Sequence, residues 1–298
     1  MPTRQRVAVF VVVFACHEAP HPMKLVFLGT PEMAVPPLRA LVDAGHDVVR
    51  VITRVDKKRG RGGALSPSPV KAAALELGLT VSHDPDDVVV AVDDGAELGV
   101  VVAFGRIIRP HLLDTVPMIN LHYSLLPRWR GAAPVERAIL AGDSETGVGV
   151  MRLEEGLDTG GIYAEERVPI GDHTTADELR AELNEIGCRL LVELVGRPLE
   201  EWIDTAVEQT GETLYASKLD KAELEIDWTR PAIETHRLIR IGGAWTTFRG
   251  KRLKLLAAEL VDGELVPTTV QPEGKAPMAF GAWFNGAQPA PGELFGPR

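Results

Sequence analysis

Cysteine is almost missing from this 298-residue chain: Cys16 and Cys188 stand far apart, with no Cys-x-x-Cys. That excludes a disulfide framework and a cysteine-based metal site, so no metal is expected, and a reducing cytoplasm fits. A surplus of base is missing too. The formal net charge of −10 argues against a uniformly basic surface that coats nucleic acid, while leaving room for a local basic patch. The glycine triplet of a dinucleotide-binding turn is also lacking, because Leu28-Gly29-Thr30-Pro31 holds one glycine where that fingerprint needs three. A nicotinamide enzyme is therefore unsupported. Asp158-Thr159-Gly160 occurs once, without the apolar run that should precede it, so an aspartic protease is unsupported as well.

What is present reads as an ordinary soluble globular chain, 45% apolar and 25% charged, with a length that suits about two domains. Residues 1–22 stand apart: Arg4 and Arg6 precede the apolar run Val7 to Cys16, the outline of a short signal-peptide core, and Val13 to Cys16 has a weak likeness to a lipidation site. Beyond Met23 the pattern alternates. Lys24 to Leu28 reads as a buried strand, Pro36 to Asp43 as a helix stopped by Gly45, and Asp47 to Arg54 as a second strand. Such a βαβ unit implies an α/β fold with a doubly wound, mostly parallel sheet. Ser68 and Pro69 cap a helix from Val70 to Leu77, and Asp84 to Asp94 contains another. Leu98 to Ala103 is an apolar strand ending at Phe104-Gly105, Pro134 to Ala141 a helix, and Thr146 to Leu153 a strand. Leu179, Leu183, Ile186, Leu190 and Leu194 space a long helix begun at Thr174-Thr175. Gly196 to Glu212 shows no periodicity beyond one helical turn and reads as linker. Short strands follow at Trp245 to Phe248, Lys251 to Leu256 and Glu264 to Val270.

The chemistry concentrates in Ile119-Asn120-Leu121-His122-Tyr123-Ser124-Leu125-Leu126-Pro127. A period of two sends Asn120, His122 and Ser124 to one face. A solvated edge strand alternates in the same way, but an amide donor, an imidazole and a hydroxyl also suit a carbonyl under attack. Asp158, between glycines in Glu155-Gly156-Leu157-Asp158-Thr159-Gly160-Gly161, is by itself an ordinary turn residue. Two basic stretches stand out. Arg54, Lys57, Lys58, Arg59 and Arg61 face the single acid Asp56 in a glycine-rich loop, and Arg237, Arg240, Arg249, Lys251, Arg252 and Lys254 occur with no acid between them. Either could be a solvated face or a phosphate contact.

The run from Asn120 to Pro127 resembles the Asn-x-His-x-Ser-Leu-Leu-Pro motif of the folate-dependent formyltransferases. Its continuation Arg128-Trp129-Arg130-Gly131-Ala132-Ala133-Pro134 is most similar to the members that act on methionyl-tRNA. Asp158 falls 38 positions after Asn120 and 36 after His122, as the resemblance requires. The likeness runs from residue 23 to about residue 290 and implies a division into 1–22, a disordered or untranslated leader; 23–196, the catalytic domain; 197–212, the linker; and 213–298, a β-barrel of oligonucleotide-binding type. It also implies catalytic roles for Asn120, His122 and Asp158. Ser124, Leu125, Leu126, Pro127, Phe104 and Gly105 would frame the pterin of 10-formyltetrahydrofolate, and Lys57, Lys58, Arg59, Arg61, Arg249, Lys251 and Arg252 would hold initiator methionyl-tRNA. The chain is expected to act as a cytoplasmic monomer with no membrane partner. One departure from the family's pattern stands out: Ile241-Gly242-Gly243-Ala244 replaces a proline-containing stretch before Trp245. Three other readings remain. A sugar amine or other small amine could be the acceptor; the enzyme could be a hydrolase, of 10-formyltetrahydrofolate or with Ser124 as nucleophile; or the chain could be a non-catalytic RNA-binding protein.

Overall fold

The structure is a computed structural model that describes residues 21–59, 63–290, 293, 295 and 296, without the side chains of Arg59 and Ala64. The leader up to residue 20 and the contact expected of Arg61 lie outside the described residues, as does the side chain of Arg59.

The first unit comprises the described residues up to Pro134, together with Thr146–Val168 and Arg180–Ala216. Its strands in chain order, with their end residues, are β1 (Lys24–Gly29), β2 (Asp47–Ile52), β3 (Lys57–Arg59), β4 (Ala64–Ser66), β5 (Val81–Ser82), β6 (Leu98–Val102), β7 (Met118–His122), β8 (Arg130–Gly131), β9 (Glu145–Arg152), β10 (Ile162–Pro169) and β11 (Tyr215–Ala216). Seven of them form one sheet in the order β10-β9-β7-β6-β1-β2-β5. β1 runs parallel to β2 and β6, β6 parallel to β7, and β7 antiparallel to β9. The chain leaves β1 for β2 on one side and later returns to β6 on the other. The β1/β6 border is therefore a topological switch point, outside whose carboxyl ends ligands gather.

Local chemistry explains the starts of two helices. Ser68 Oγ accepts from the Lys71 amide at 3.0 Å, capping the helix Pro69–Glu76. Thr175 and Glu178 exchange backbone and side-chain bonds in a capping box at the start of Ala176–Val195. The loop expected from Arg54 to Ser68 contains a short antiparallel hairpin, β3 against β4. β10 was not legible in the pattern because it is the sheet edge: Glu165, Glu166 and Arg167 keep partly exposed charge there, which edge strands favour. The stretch expected as linker packs within the first unit. Trp202 is fully buried, edge-on to Tyr163 at 5.1 Å, and Val207 bridges to Ile162.

The second unit comprises Val135–Glu145, Pro169–Leu179 and the chain from Ser217. Its sheet has the order β12 (Trp245–Phe248), β13 (Lys251–Val261), β14 (Glu264–Pro272) and β15 (Met278–Ala279), all antiparallel. Ile226, Ile239, Ala244, Leu253, Leu255 and Val270 form its core beneath the helix Ala232–Arg240. Among the described residues no helix is long and apolar enough to cross a membrane.

Candidate active site

β7 lies between β6 and β9, so all five of its residues are buried and the solvated-edge reading of its alternation fails. Asn120 and His122 share one face, about 7 Å apart along the strand. After His122 the chain folds back. Ser124 Oγ donates to the carbonyl of Arg128 at 2.6 Å and reaches that of Trp129 at 3.5 Å, tying off the loop that carries Leu125, Leu126 and Pro127. Trp129 has a left-handed backbone with φ of 65°, which turns its carbonyl back toward the strand. His122 Nε2 lies 3.0 Å from that oxygen. A carbonyl can only accept, so the neutral ring carries its proton on Nε2 and leaves Nδ1 bare.

Asp158 Oδ2 stands 3.7 Å from His122 Nδ1, with both side chains almost closed to solvent. The turn that carries Asp158 puts it in the left-handed region, φ 50°, a conformation Asp tolerates better than most residues. The Gly131 amide donates to Oδ2 at 2.7 Å. Gly131 itself has φ of 123°, and a Cβ there would meet the Ala216 carbonyl at 2.8 Å, so the approach of β8 to β11 requires glycine. The carboxamide of Asn120 has no hydrogen-bond partner among the described residues, although the residue is only 9% exposed. An amide with no internal partner on a mostly buried residue, beside an imidazole and a carboxylate, is equipped to meet a polar group brought by a substrate. Tyr123, between the two polar positions, points to the other face. Its hydroxyl donates to Asn184 at 2.7 Å, and burial pushes its phenol far above the usual range, which marks it as structural.

The Phe104-Gly105 turn sits at the carboxyl end of β6. Thr30 Oγ1 donates to the Phe104 carbonyl at 3.3 Å and Arg54 Nη2 to the Gly105 carbonyl at 2.7 Å. Arg54 is thereby spent on the turn, and Asp56 pairs with Lys71 at 2.8 Å, leaving Lys57 and Lys58 exposed on β3. In the second unit, Arg249 is bound by both carboxylate oxygens of Glu293 at 2.7 Å. Arg252 lies over the Trp245 ring at 3.9 Å, and Lys251 is exposed. Of the cations there, Arg249 is thus neutralised by a partner distant in sequence.

Sequence reasoning missed three contributors: the Trp129 carbonyl, the Gly131 amide and Gln209. The first two are backbone groups, which no residue pattern advertises. Gln209 lay in the stretch taken for linker, and nothing in its neighbours signalled it.

The sequence matches two family models, Formyl transferase over residues 23–195 and Formyl transferase, C-terminal domain, over residues 218–267. A curated methionyl-tRNA formyltransferase of Symbiobacterium thermophilum is 42% identical, covering 92% of this chain and 96% of the relative. Among solved structures, a methionyl-tRNA formyltransferase from Clostridium thermocellum superposes with a TM-score of 0.60 at 16% identity, covering 84% of this chain and 98% of that one. WlaRD, a sugar 3N-formyl transferase, gives 0.58 at 17%, covering 86% and 100%. Likeness at that identity is a likeness of fold alone.

Proposed function

The chain belongs to the formyl transferase family, and from that premise we propose that it transfers the formyl group of 10-formyltetrahydrofolate to the free amine of initiator methionyl-tRNA, in translation initiation. The observation that carries the reading is the convergence of Asp158 on His122 Nδ1 beside the unpartnered carboxamide of Asn120.

The folate supplies, when bound, a formyl group on a nitrogen that can leave. Asn120 donates its amide N–H to the formyl oxygen as negative charge gathers there, an interaction of about 2.7–4 kcal/mol in comparable acyl transfers. His122 is held through Nε2 by Trp129, so Nδ1 is the atom at which a proton moves. When protonated it steadies the oxyanion and passes that proton to the departing nitrogen. Asp158 orients the ring and relays the amine's proton through water. Ser124, Leu125, Leu126 and Pro127 with the Phe104-Gly105 turn frame the pterin. The direct hydrolase reading is disfavoured because the Ser124 proton is directed at the Arg128 carbonyl and not at His122. Lys57, Lys58 and Lys251, with Arg59 and Arg61, meet tRNA phosphates. The protein works as a cytoplasmic monomer without a metal.

The test offers radioactive 10-formyltetrahydrofolate with methionyl-tRNA, free methionine and amino sugars in parallel. Transfer to methionyl-tRNA that is abolished by RNase is expected. Preference for a sugar amine, unaffected by RNase, would overturn the acceptor assignment.

A further inference from the structure

We propose that Gln209 is a positioning residue that locks the Asp158 turn in its working conformation, with Arg130 fixing the sense of its amide. The proposal rests on the catalytic reading of Asp158 given above.

Gln209 Nε2 donates to the carbonyls of both Asp158 and Gly160, each at 2.8 Å. Gln209 Oε1 accepts from Arg130 Nε at 3.1 Å and Nη2 at 2.6 Å. Each contact fixes the others. A guanidinium has only donors, so the amide oxygen must face Arg130, and the NH₂ group is thereby turned toward two carbonyls that can only accept. The side chain spans the turn like a staple, holding the carbonyl of the catalytic residue and that of the second residue beyond it. Between those anchors Asp158 has the left-handed φ of 50°, and its carboxylate takes the Gly131 amide at 2.7 Å. Arg130 and Gly131 are adjacent, so β8 supplies one contact to the carboxylate and orients the residue that grips the backbone beneath it. Among the described residues no other hydrogen bond holds these two carbonyls. The gap of 3.7 Å from Oδ2 to His122 Nδ1 is already longer than a hydrogen bond, so a small drift of the turn would uncouple the pair.

The discriminating variant is Gln209→Glu, which keeps size and the Arg130 contact but presents a carboxylate oxygen, with no proton, to both carbonyls. Gln209→Ala accompanies it as a variant that adds no charge. Either should lower kcat about 10- to 100-fold while KM for methionyl-tRNA and for the folate stays within about threefold and the melting temperature stays close to that of the parent. The second readout is a double-mutant cycle with Asp158→Ala in single-turnover assays with enzyme in excess. If Gln209 acts through Asp158, adding Gln209→Glu to Asp158→Ala costs little more, whereas a merely structural role gives losses that multiply. Wild-type kcat in both Gln209 variants, or multiplying losses in the cycle, would overturn the inference. Near-normal turnover of Asp158→Ala would instead overturn the catalytic reading beneath it.

Discussion

The two nitrogens of His122 face different kinds of group, Nε2 a backbone carbonyl and Nδ1 a carboxylate. The first fixes the tautomer and leaves the second for proton transfer, so the Trp129 carbonyl and Asp158 together aim the ring. Asn120 is the complementary case, because its amide contributes no internal hydrogen bond to the fold. Asn120→Ala should therefore lower kcat by about 10²- to 10³-fold with little change in melting temperature or in tRNA affinity, as read by rapid-quench kinetics, thermal melts and filter binding. Retained turnover would remove the amide from the mechanism. Cys188 gives a pH prediction of known sign. Burial pushes its thiol up from 9.0 to about 11, so the thiol stays protonated through neutrality. Its contribution to stability is complete below pH 9 and is lost as pH rises through about 11. In peptide-resolved alkylation at pH 8, Cys188 should react far more slowly in the folded chain than in the unfolded one. Equal rates would contradict the assigned burial.

At the scale of elements, the site depends on close backbone approaches that only glycine permits. A Cβ at Gly147 on β9 would overlap both the Glu166 carbonyl on β10 and the side chain of Leu125. Gly147→Ala is expected to destabilise the fold by about 1–3 kcal/mol and to raise KM for the folate, since Leu125 belongs to the loop proposed to frame the pterin. Denaturant titration and folate saturation curves check both halves, and an unchanged KM would detach Leu125 from that role. The helix caps were legible because a cap is a local event: Ser68 and Lys71 lie three positions apart. β10 was not, because along this edge strand nearly every side chain is at most partly buried, so no alternation of apolar and polar residues is imprinted on its sequence. The Trp202 region was missed for a related reason. A single large side chain seated in the core anchors a segment without leaving any repeat.

At the scale of the molecule, a chain of formal net charge −10 can engage a polyanion only through local positive features, and the structure sorts the candidates. Arg249 is matched by Glu293, whereas Lys57 and Lys58 are exposed on a hairpin. Arg249→Ala should lower the melting temperature and leave KM for methionyl-tRNA nearly unchanged. The double change Lys57→Glu with Lys58→Glu should raise that KM and flatten its dependence on salt by about one unit of slope per lost phosphate contact. The same kinetics measured from 50 to 200 mM salt test both, and a tRNA defect in Arg249→Ala with an intact melt would reverse the assignment.

The partnership of the Asn-x-His strand with a distant Asp was implied by a family resemblance; what the amino-acid sequence by itself determined was the alternating α/β architecture and the capped helices. These follow from periods, caps and spacings, which are properties of neighbouring residues. The tertiary structure alone decided that Ser124 serves the loop, that Nδ1 is the histidine nitrogen turned to Asp158, that Gln209 grips the turn beneath that carboxylate, and that Arg249 is already paired. Each of these depends on which backbone carbonyls, amides and charges are left unsatisfied once distant strands have been brought side by side, and no local pattern in the chain encodes that remainder.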